Sequence, residues 1–223
     1  MPCFERWVSP KVSESYLHEF LTIAGVHLLA VASPGPDFAI VFRQSVALGR
    51  RAGVWTSAGV ALGIMLHASY CVIGLGVLLT QATFIFDTLK IIAGCYLCYL
   101  GVLSLRASGE PALSGLPSPS RAALPGVAAL SFRRGLLTNA LNPKVTLFCL
   151  ALFTVVIKPT TPSTVQWGYA VYLGVATFAW FATLSFFCNL PAIRQALVRG
   201  GAWFERVMGA VLLALGVRLV VGR

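Results

Sequence analysis

Two charged side chains lie inside long apolar stretches of the sequence, each directly after a proline. They are Asp37 and Lys144. Ionisable groups are costly in hydrocarbon, so those that occur within a membrane usually serve a function. A carboxylate there can bind a substrate ammonium group or carry a proton, and a lysine can bind a substrate carboxylate. The alternative is a structural ion pair between the two segments, which a substrate could displace in turn.

Further polar side chains accompany this pair. His67 lies deep in another apolar stretch, where it is either a proton relay or a histidine satisfied by a backbone carbonyl, and His27 is a weaker candidate of the same kind. Asn139 and Asn142 offer neutral donors and acceptors that suit the polar groups of an amino acid. Their alternative role is to cap backbone groups left open beside a proline.

Prolines interrupt both of the apolar stretches that carry the charges. The first break is Pro34-Gly35-Pro36, and the second is at Pro143. Prolines remove backbone donors, so carbonyl groups one turn upstream need other partners in hydrocarbon. The apolar run 20–32 has 13 residues, roughly 20 Å of helix. Because a membrane core is about 30 Å thick, we expect the breaks to lie within the membrane rather than at its surface.

Asp37 comes directly after the first break, so it should lie at the N-terminus of the second half-helix. The helix dipole favours a negative charge at that position. Around the second break, likewise, neither apolar piece is long enough to span a membrane alone.

The composition indicates that the whole chain is embedded in lipid. It is 57% hydrophobic and 11% charged, which leaves too little polar surface to cover a water-soluble globule. The net charge of +10 is scattered between apolar runs, so anionic lipid is a better partner than nucleic acid. With three histidines, no clustered metal ligands and no phosphate-binding Gly-Lys-Ser/Thr loop, we expect no metal, no cofactor and no enzyme.

Apolar stretches of membrane-spanning length predict an all-α membrane protein with about six transmembrane helices. The predicted spans are residues 17–42, 54–79, 84–105, 136–157, 166–189 and 203–221. A segment rich in proline and glycine separates them into two halves. The predicted organisation is an N-terminal extension (1–15), a three-helix repeat (16–106), a cytoplasmic linker loop (107–131) and a second three-helix repeat (132–223).

The interrupted helices are the first and the fourth, so each opens one half of the chain. Two broken helices in corresponding positions are typical of a 3+3 inverted repeat, with a substrate site where the breaks meet. Basic residues concentrate in the loops after spans one, three and five, which places those loops in the cytoplasm and both termini in the periplasm. Gly59 and Gly63 indicate close packing of helices inside one bundle or, alternatively, a homodimer interface.

Several motifs in register resemble the lysine-exporter and threonine/homoserine-efflux (LysE/RhtB) family. They are Pro34-Gly35-Pro36-Asp37-Phe38, Gly49-Arg50-Arg51-Ala52-Gly53, Tyr96-Leu97-Cys98-Tyr99-Leu100-Gly101 and the stretch from Phe132 to Asn139 that leads to Asn142-Pro143-Lys144. The resemblance extends over about residues 16–223 and is closest to the threonine and homoserine exporters. It implies export of amino acids or their derivatives from a bacterial cytoplasm through the inner membrane, driven by protons or ion exchange rather than ATP.

The sequence therefore predicts a secondary transporter for neutral amino acids, with proton antiport at Asp37. The candidate substrate and proton site comprises Asp37, Lys144, Asn142, Asn139, Pro34, Gly35, Pro36, Pro143 and His67. Three alternatives remain: an exporter of another metabolite, a structural membrane subunit, and an intramembrane thiol relay. The last would use Cys95 and Cys98, which lie on one face of a helix.

Overall fold

Eight helices make up the parts of the chain that the computed structural model describes, which are residues 10–81, 83–106, 126–158, 160–188 and 190–221. The helices are α1 (Pro10–Ala32), α2 (Pro36–Leu48), α3 (Arg50–Gln81), α4 (Thr83–Leu105), α5 (Val127–Ala140), α6 (Pro143–Val155), α7 (Ser163–Phe187) and α8 (Pro191–Val221). No strand occurs in these ranges, so the predicted all-α class is confirmed. Most of the extension 1–15 and of the linker 107–131 lies outside the described residues.

Within the described ranges, three helical segments are long and apolar enough to cross a membrane on their own: Glu14–Ala32 of α1, Arg50–Gly74 of α3, and Ser163–Phe187, which is all of α7. The pair α5 and α6 meets the same criterion as one span that is bent by 59° at its break. Large apolar side chains cover the outer surface, including Leu21, Tyr70, Ile73, Ile92, Val175 and Trp203. The chain is therefore a multi-pass membrane protein, whereas the total of about six spans and the inverted repeat stay predictions.

The two breaks differ in how they divide their helices. For the second break, the prediction that neither piece spans alone is confirmed, since α5 has 14 residues and α6 has 13. For the first break it is wrong, because α1 begins at Pro10 and its segment Glu14–Ala32 is long enough by itself. The predicted length of this piece included only the apolar run from residue 20, but the polar residues before that run belong to the same helix.

At the first break, the helix ends and restarts within three residues. The backbone N–H of Ser33 donates to the carbonyls of Leu29 and Ala30, at 3.2 and 3.3 Å, which closes α1. Gly35 precedes α2, and Pro36 takes its first position, where a missing backbone N–H costs no helical hydrogen bond. Asp37 therefore lies in the first turn of α2, as predicted.

Glycines bring α3 and α5 into backbone contact. A Cβ atom on Gly59 would overlap the carbonyl oxygen of Phe132, and one on Gly135 would overlap that of Thr56. In lipid, such close approach lets dispersion forces hold helices together. Gly59 therefore packs inside the chain, as the first of its two predicted roles required, and a homodimer stays a prediction.

A hydrogen bond links the basic segment of α5 to α2. Arg134 of α5 donates to the side-chain oxygen of Gln44 of α2 at 3.4 Å, and the neighbouring Arg133 and Arg43 are exposed. The grouping of the basic loops on one side of the membrane, and which side that is, stay predictions.

We expect Gly59→Ala to lower the free energy of unfolding by about 1–3 kcal/mol, because the added methyl group meets a backbone carbonyl that no side-chain rotation can move. Gly25→Ala is the matched control, since a Cβ there has nothing within 4 Å. The control should be neutral or more stable by up to about 1 kcal/mol. Thermal unfolding in detergent measures both, and equal shifts would contradict the close packing of α3 on α5.

Candidate functional site

A cavity lies where the two helix breaks meet. Its walls include Ser33, Gly35 and Pro36 from the first break and Asn142 from the second, and every described helix except α4 contributes. About 50 Å³ is open to the centre of a water molecule, which is room for a few waters. The cavity therefore joins the two segments that the sequence singled out.

The Asp37 carboxylate is bound by two neutral amides. Its Oδ2 accepts hydrogen bonds from Asn139 Nδ2 at 2.9 Å and from Asn142 Nδ2 at 3.4 Å. Its Oδ1 is buried and has no hydrogen-bond partner. One oxygen is thus held in place while the other has no partner.

Lys144 lines the same cavity, in the first turn of α6. Among the contacts of the described residues it forms no ion pair with Asp37, and its ammonium group makes no hydrogen bond there. The carboxylates of Asp37 and Glu205 act on it at longer range. The structural ion pair is therefore not formed in this conformation, and the cavity holds one charge of each sign.

Asn142 takes the capping role considered for it and also contacts Asp37, while a contact with substrate stays a prediction. Its Oδ1 accepts the backbone N–H of Lys144 at 3.1 Å and so caps α6, while its Nδ2 reaches Asp37. One side chain therefore satisfies the restarted helix and positions the carboxylate.

His67 replaces a donor that Pro143 lacks. In a continuous helix the carbonyl of Asn139 would accept from the N–H of residue 143, but proline has none. That carbonyl instead accepts from the N–H of Asn142 at 2.9 Å and from Nε2 of His67 at 3.1 Å. His67 does not line the cavity, and neither do Pro34 and Pro143. The geometry thus agrees with His67 as a partner of the backbone, which leaves its Nε2 hydrogen engaged.

His27 was the weaker candidate in the sequence, yet it lines the cavity and is fully buried. Its Nε2 is 3.0 Å from the hydroxyl oxygen of Thr177 on α7, and its Nδ1 has no partner. The sequence did contain a signal that His27 is buried. Ile23, His27 and Val31 are spaced four residues apart, and all three are buried on one face of α1.

Glu19 is a buried carboxylate that the sequence reasoning missed, because it precedes the apolar run. It is 2% exposed. Its oxygens accept from the Thr161 hydroxyl at 3.0 and 3.1 Å, the Tyr169 hydroxyl at 3.3 Å and the Lys158 backbone N–H at 3.3 Å. These bonds join α1 to α7 and to the connection between α6 and α7.

The cysteines considered for a thiol relay lie away from the cavity. Cys95 is exposed on α4, and Cys98 faces the backbone of α8, with its sulfur 3.9 Å from the Leu213 carbonyl oxygen. Both belong to the one described helix that does not line the cavity. The five cysteines in the described residues are free thiols.

A multi-pass helical bundle whose broken helices meet at a buried, charged cavity has the architecture of a membrane transporter. Residues 17–223 match the family model described as LysE type translocator, and the chain belongs to that family. The resemblance seen in the sequence is thereby confirmed. Members of this family are translocators, so the prediction that the chain is no enzyme is also confirmed.

Relatives match over nearly their whole length. The chain is 29% identical to the threonine efflux protein of Escherichia coli K12 over 204 residues, which are 92% of this chain and 98% of that protein. It is 33% identical to the membrane protein YahN of the same organism, over 92% of this chain and 90% of YahN. It is 28% identical to the homoserine/homoserine lactone efflux protein of Salmonella typhimurium, over 86% and 90%. No solved structure shows significant similarity to it.

His67→Leu should reduce the free energy of unfolding by about 1 kcal/mol, because the Asn139 carbonyl loses one of its two donors. His67→Gln keeps a donor and should stay closer to the wild type in both unfolding temperature and transport rate. Parallel measurement of the two properties separates the roles. A stable His67→Gln protein without transport would contradict a purely structural histidine and favour a proton relay.

Thr161→Val removes the hydroxyl that donates to both oxygens of buried Glu19, so we expect it to lower the free energy of unfolding by about 1.5–3 kcal/mol. Thr160→Val is the control, since the neighbouring Thr160 is exposed. Thermal unfolding of the two purified variants should differ clearly. Similar unfolding temperatures would mean that the Glu19 cluster does not hold α1 to the connection between α6 and α7.

Proposed function

We propose that this protein exports neutral amino acids from a bacterial cytoplasm across the inner membrane in exchange for protons. Family membership and the relatives named as threonine and homoserine efflux proteins support the class of substrate. The observation that carries the proposal is the Asp37 carboxylate, which is half bound by amides and half available, in a cavity that also holds Lys144.

An amino group fits the end of the cavity beside Asp37. Two side-chain oxygens of cavity-lining residues are buried and have no hydrogen-bond partner: Asp37 Oδ1 and Ser33 Oγ. An ammonium group has three N–H donors and no acceptor, so it suits both oxygens. It would also neutralise the negative charge of Asp37, which the two neutral amides cannot balance.

Lys144 supplies the complementary charge for a carboxylate. Its ammonium group lines the cavity without a hydrogen bond to any described residue, and the helix of which it is the second residue begins at the break. The N-terminus of α6 itself favours an anion. An α-amino acid carries both charges a short distance apart, so it matches the cavity better than a metabolite with one charge.

Coupling to protons follows from a shared site. An ionised carboxylate without a direct ion-pair partner is costly in a buried environment, so Asp37 would be stabilised by binding either an ammonium group or a proton. The two ligands exclude one another on the same oxygen. Alternate release of each to opposite sides of the membrane would make the protein an antiporter.

The direction of export in this proposal depends on the predicted orientation. The loops rich in arginine, including Arg50, Arg51 and Arg133, would face the cytoplasm, and both termini the periplasm. Lipid is then the partner of the exposed apolar surface, and protons move inward as the amino acid moves outward. The Pro34-Gly35-Pro36 and Pro143 breaks would supply the flexible points at which the two helix pairs change conformation during transport.

The first test is uptake of labelled threonine by inverted membrane vesicles under an imposed proton gradient, since inversion turns export into accumulation. Asp37→Asn removes the charge that holds the ammonium group, so we expect uptake to fall by roughly 10–100-fold. Glu14→Gln is the control, because Glu14 is exposed on α1 and should not matter.

Two outcomes would contradict the proposal in different ways. Uptake by Asp37→Asn with an unchanged dependence on the gradient would exclude proton coupling at this carboxylate. No accumulation of threonine, homoserine, leucine or lysine by correctly inserted wild-type protein would exclude amino-acid export and favour another metabolite.

A further inference from the structure

The cavity is lined by a second pair of polar side chains, which the amino and carboxylate groups of a substrate leave unused. They are His27 of α1 and Thr177 of α7, and Nε2 of the histidine is 3.0 Å from the threonine hydroxyl oxygen. Both residues are buried, with exposed fractions of 0% and 1%. No carboxylate among the described residues hydrogen-bonds to His27, so this pair is polar but carries no paired charge.

The His27–Thr177 contact uses only one of the two ring nitrogens. Nε2 faces the threonine hydroxyl, while Nδ1 is buried without a hydrogen-bond partner although the residue lines the cavity. If the histidine served only to hold α1 against α7, one ring nitrogen would stay unsatisfied at a cost in stability. A ligand group that bonds to Nδ1 removes that cost.

The chemistry of the imidazole narrows the choice of ligand group. When Nε2 accepts from Thr177, Nδ1 carries the hydrogen and donates, and when Nε2 donates, Nδ1 accepts. A hydroxyl group both donates and accepts, so it suits either tautomer. An ammonium group cannot accept and a carboxylate cannot donate, so each suits only one of the two.

The proposed ammonium site and the His27–Thr177 pair belong to the same cavity. His27 and Thr177 line it together with Asp37 and Ser33. A small amino acid whose ammonium group is held at Asp37 would therefore have its side chain in the cavity that His27 lines.

We propose that His27 and Thr177 form the side-chain subsite of this transporter and select hydroxylated amino acids over apolar amino acids of the same shape. The inference rests on the proposed function, because it needs an amino acid whose ammonium group is held at Asp37. His27 then recognises the hydroxyl through Nδ1, and Thr177 fixes the ring through Nε2. Selectivity arises because an apolar side chain leaves the buried Nδ1 without a partner.

The test compares threonine with valine, which have nearly the same shape and differ by the hydroxyl. Full-length protein in liposomes is assayed for initial rates of exchange of labelled threonine and of labelled valine. A buried polar group left unpaired predicts a preference of the wild type for threonine of roughly 5–100-fold.

Thr177→Val and His27→Leu should bring the threonine-to-valine ratio close to one while valine exchange continues. Thr183→Val and His18→Leu are the controls, since these residues are exposed on the same two helices and should leave the ratio unchanged. Thr177→Ser and His27→Gln keep hydrogen-bonding groups and should restore part of the preference, which guards against variants that fail to fold.

Different results would overturn the His27–Thr177 subsite and the proposed transport function. A wild-type ratio near one, or an unchanged ratio in Thr177→Val and His27→Leu, would overturn the subsite while amino-acid transport stands. Absence of exchange of both amino acids by folded wild-type protein would overturn the proposed function, and the subsite with it. Loss of the preference in the two variants and its partial return in Thr177→Ser and His27→Gln would support the subsite.

Discussion

In a lipid bilayer, every buried backbone group has to find its hydrogen-bond partner within the protein, and a proline inside a helix makes that hardest. Pro143 withdraws the donor that the Asn139 carbonyl would have used. The N–H of Asn142 and the ring of His67 replace it, and the side chain of Asn142 caps the restarted helix. Asn142, which repairs the backbone, also holds the Asp37 carboxylate together with the side chain of Asn139, so the repair and the site share one residue.

This arrangement depends on helices that approach more closely than most side chains allow. The backbone of α5 reaches α3 because Gly59 and Gly135 have no Cβ to intervene, and Gly63 leaves the space that the Asn139 side chain occupies. A bulkier residue at position 63 would meet Asn139 and displace it from Asp37. Small residues therefore determine where the polar side chains lie.

Two buried carboxylates, Glu19 and Asp37, differ in how completely their oxygens are hydrogen-bonded. Both oxygens of Glu19 accept hydrogen bonds from hydroxyl or backbone donors, so this group joins helices and has no oxygen left for a ligand. Asp37 has one oxygen bound and one without a partner, in a cavity that also contains Lys144. An unpaired buried oxygen is unfavourable, and Asp37 has one whereas Glu19 has none.

The sequence by itself determined the membrane class, the helical fold, the positions of both breaks and the family, because apolar runs, prolines and motifs are local properties of the chain. It also indicated Asp37, Lys144 and the two asparagines as neighbours of those breaks. Only the tertiary structure decided the surroundings of His67, Glu19 and His27, whose partners lie 72, 142 and 150 residues away in the chain. Such contacts depend on how helices pack across the bundle, and a local pattern carries no record of which distant residue will complete a hydrogen bond.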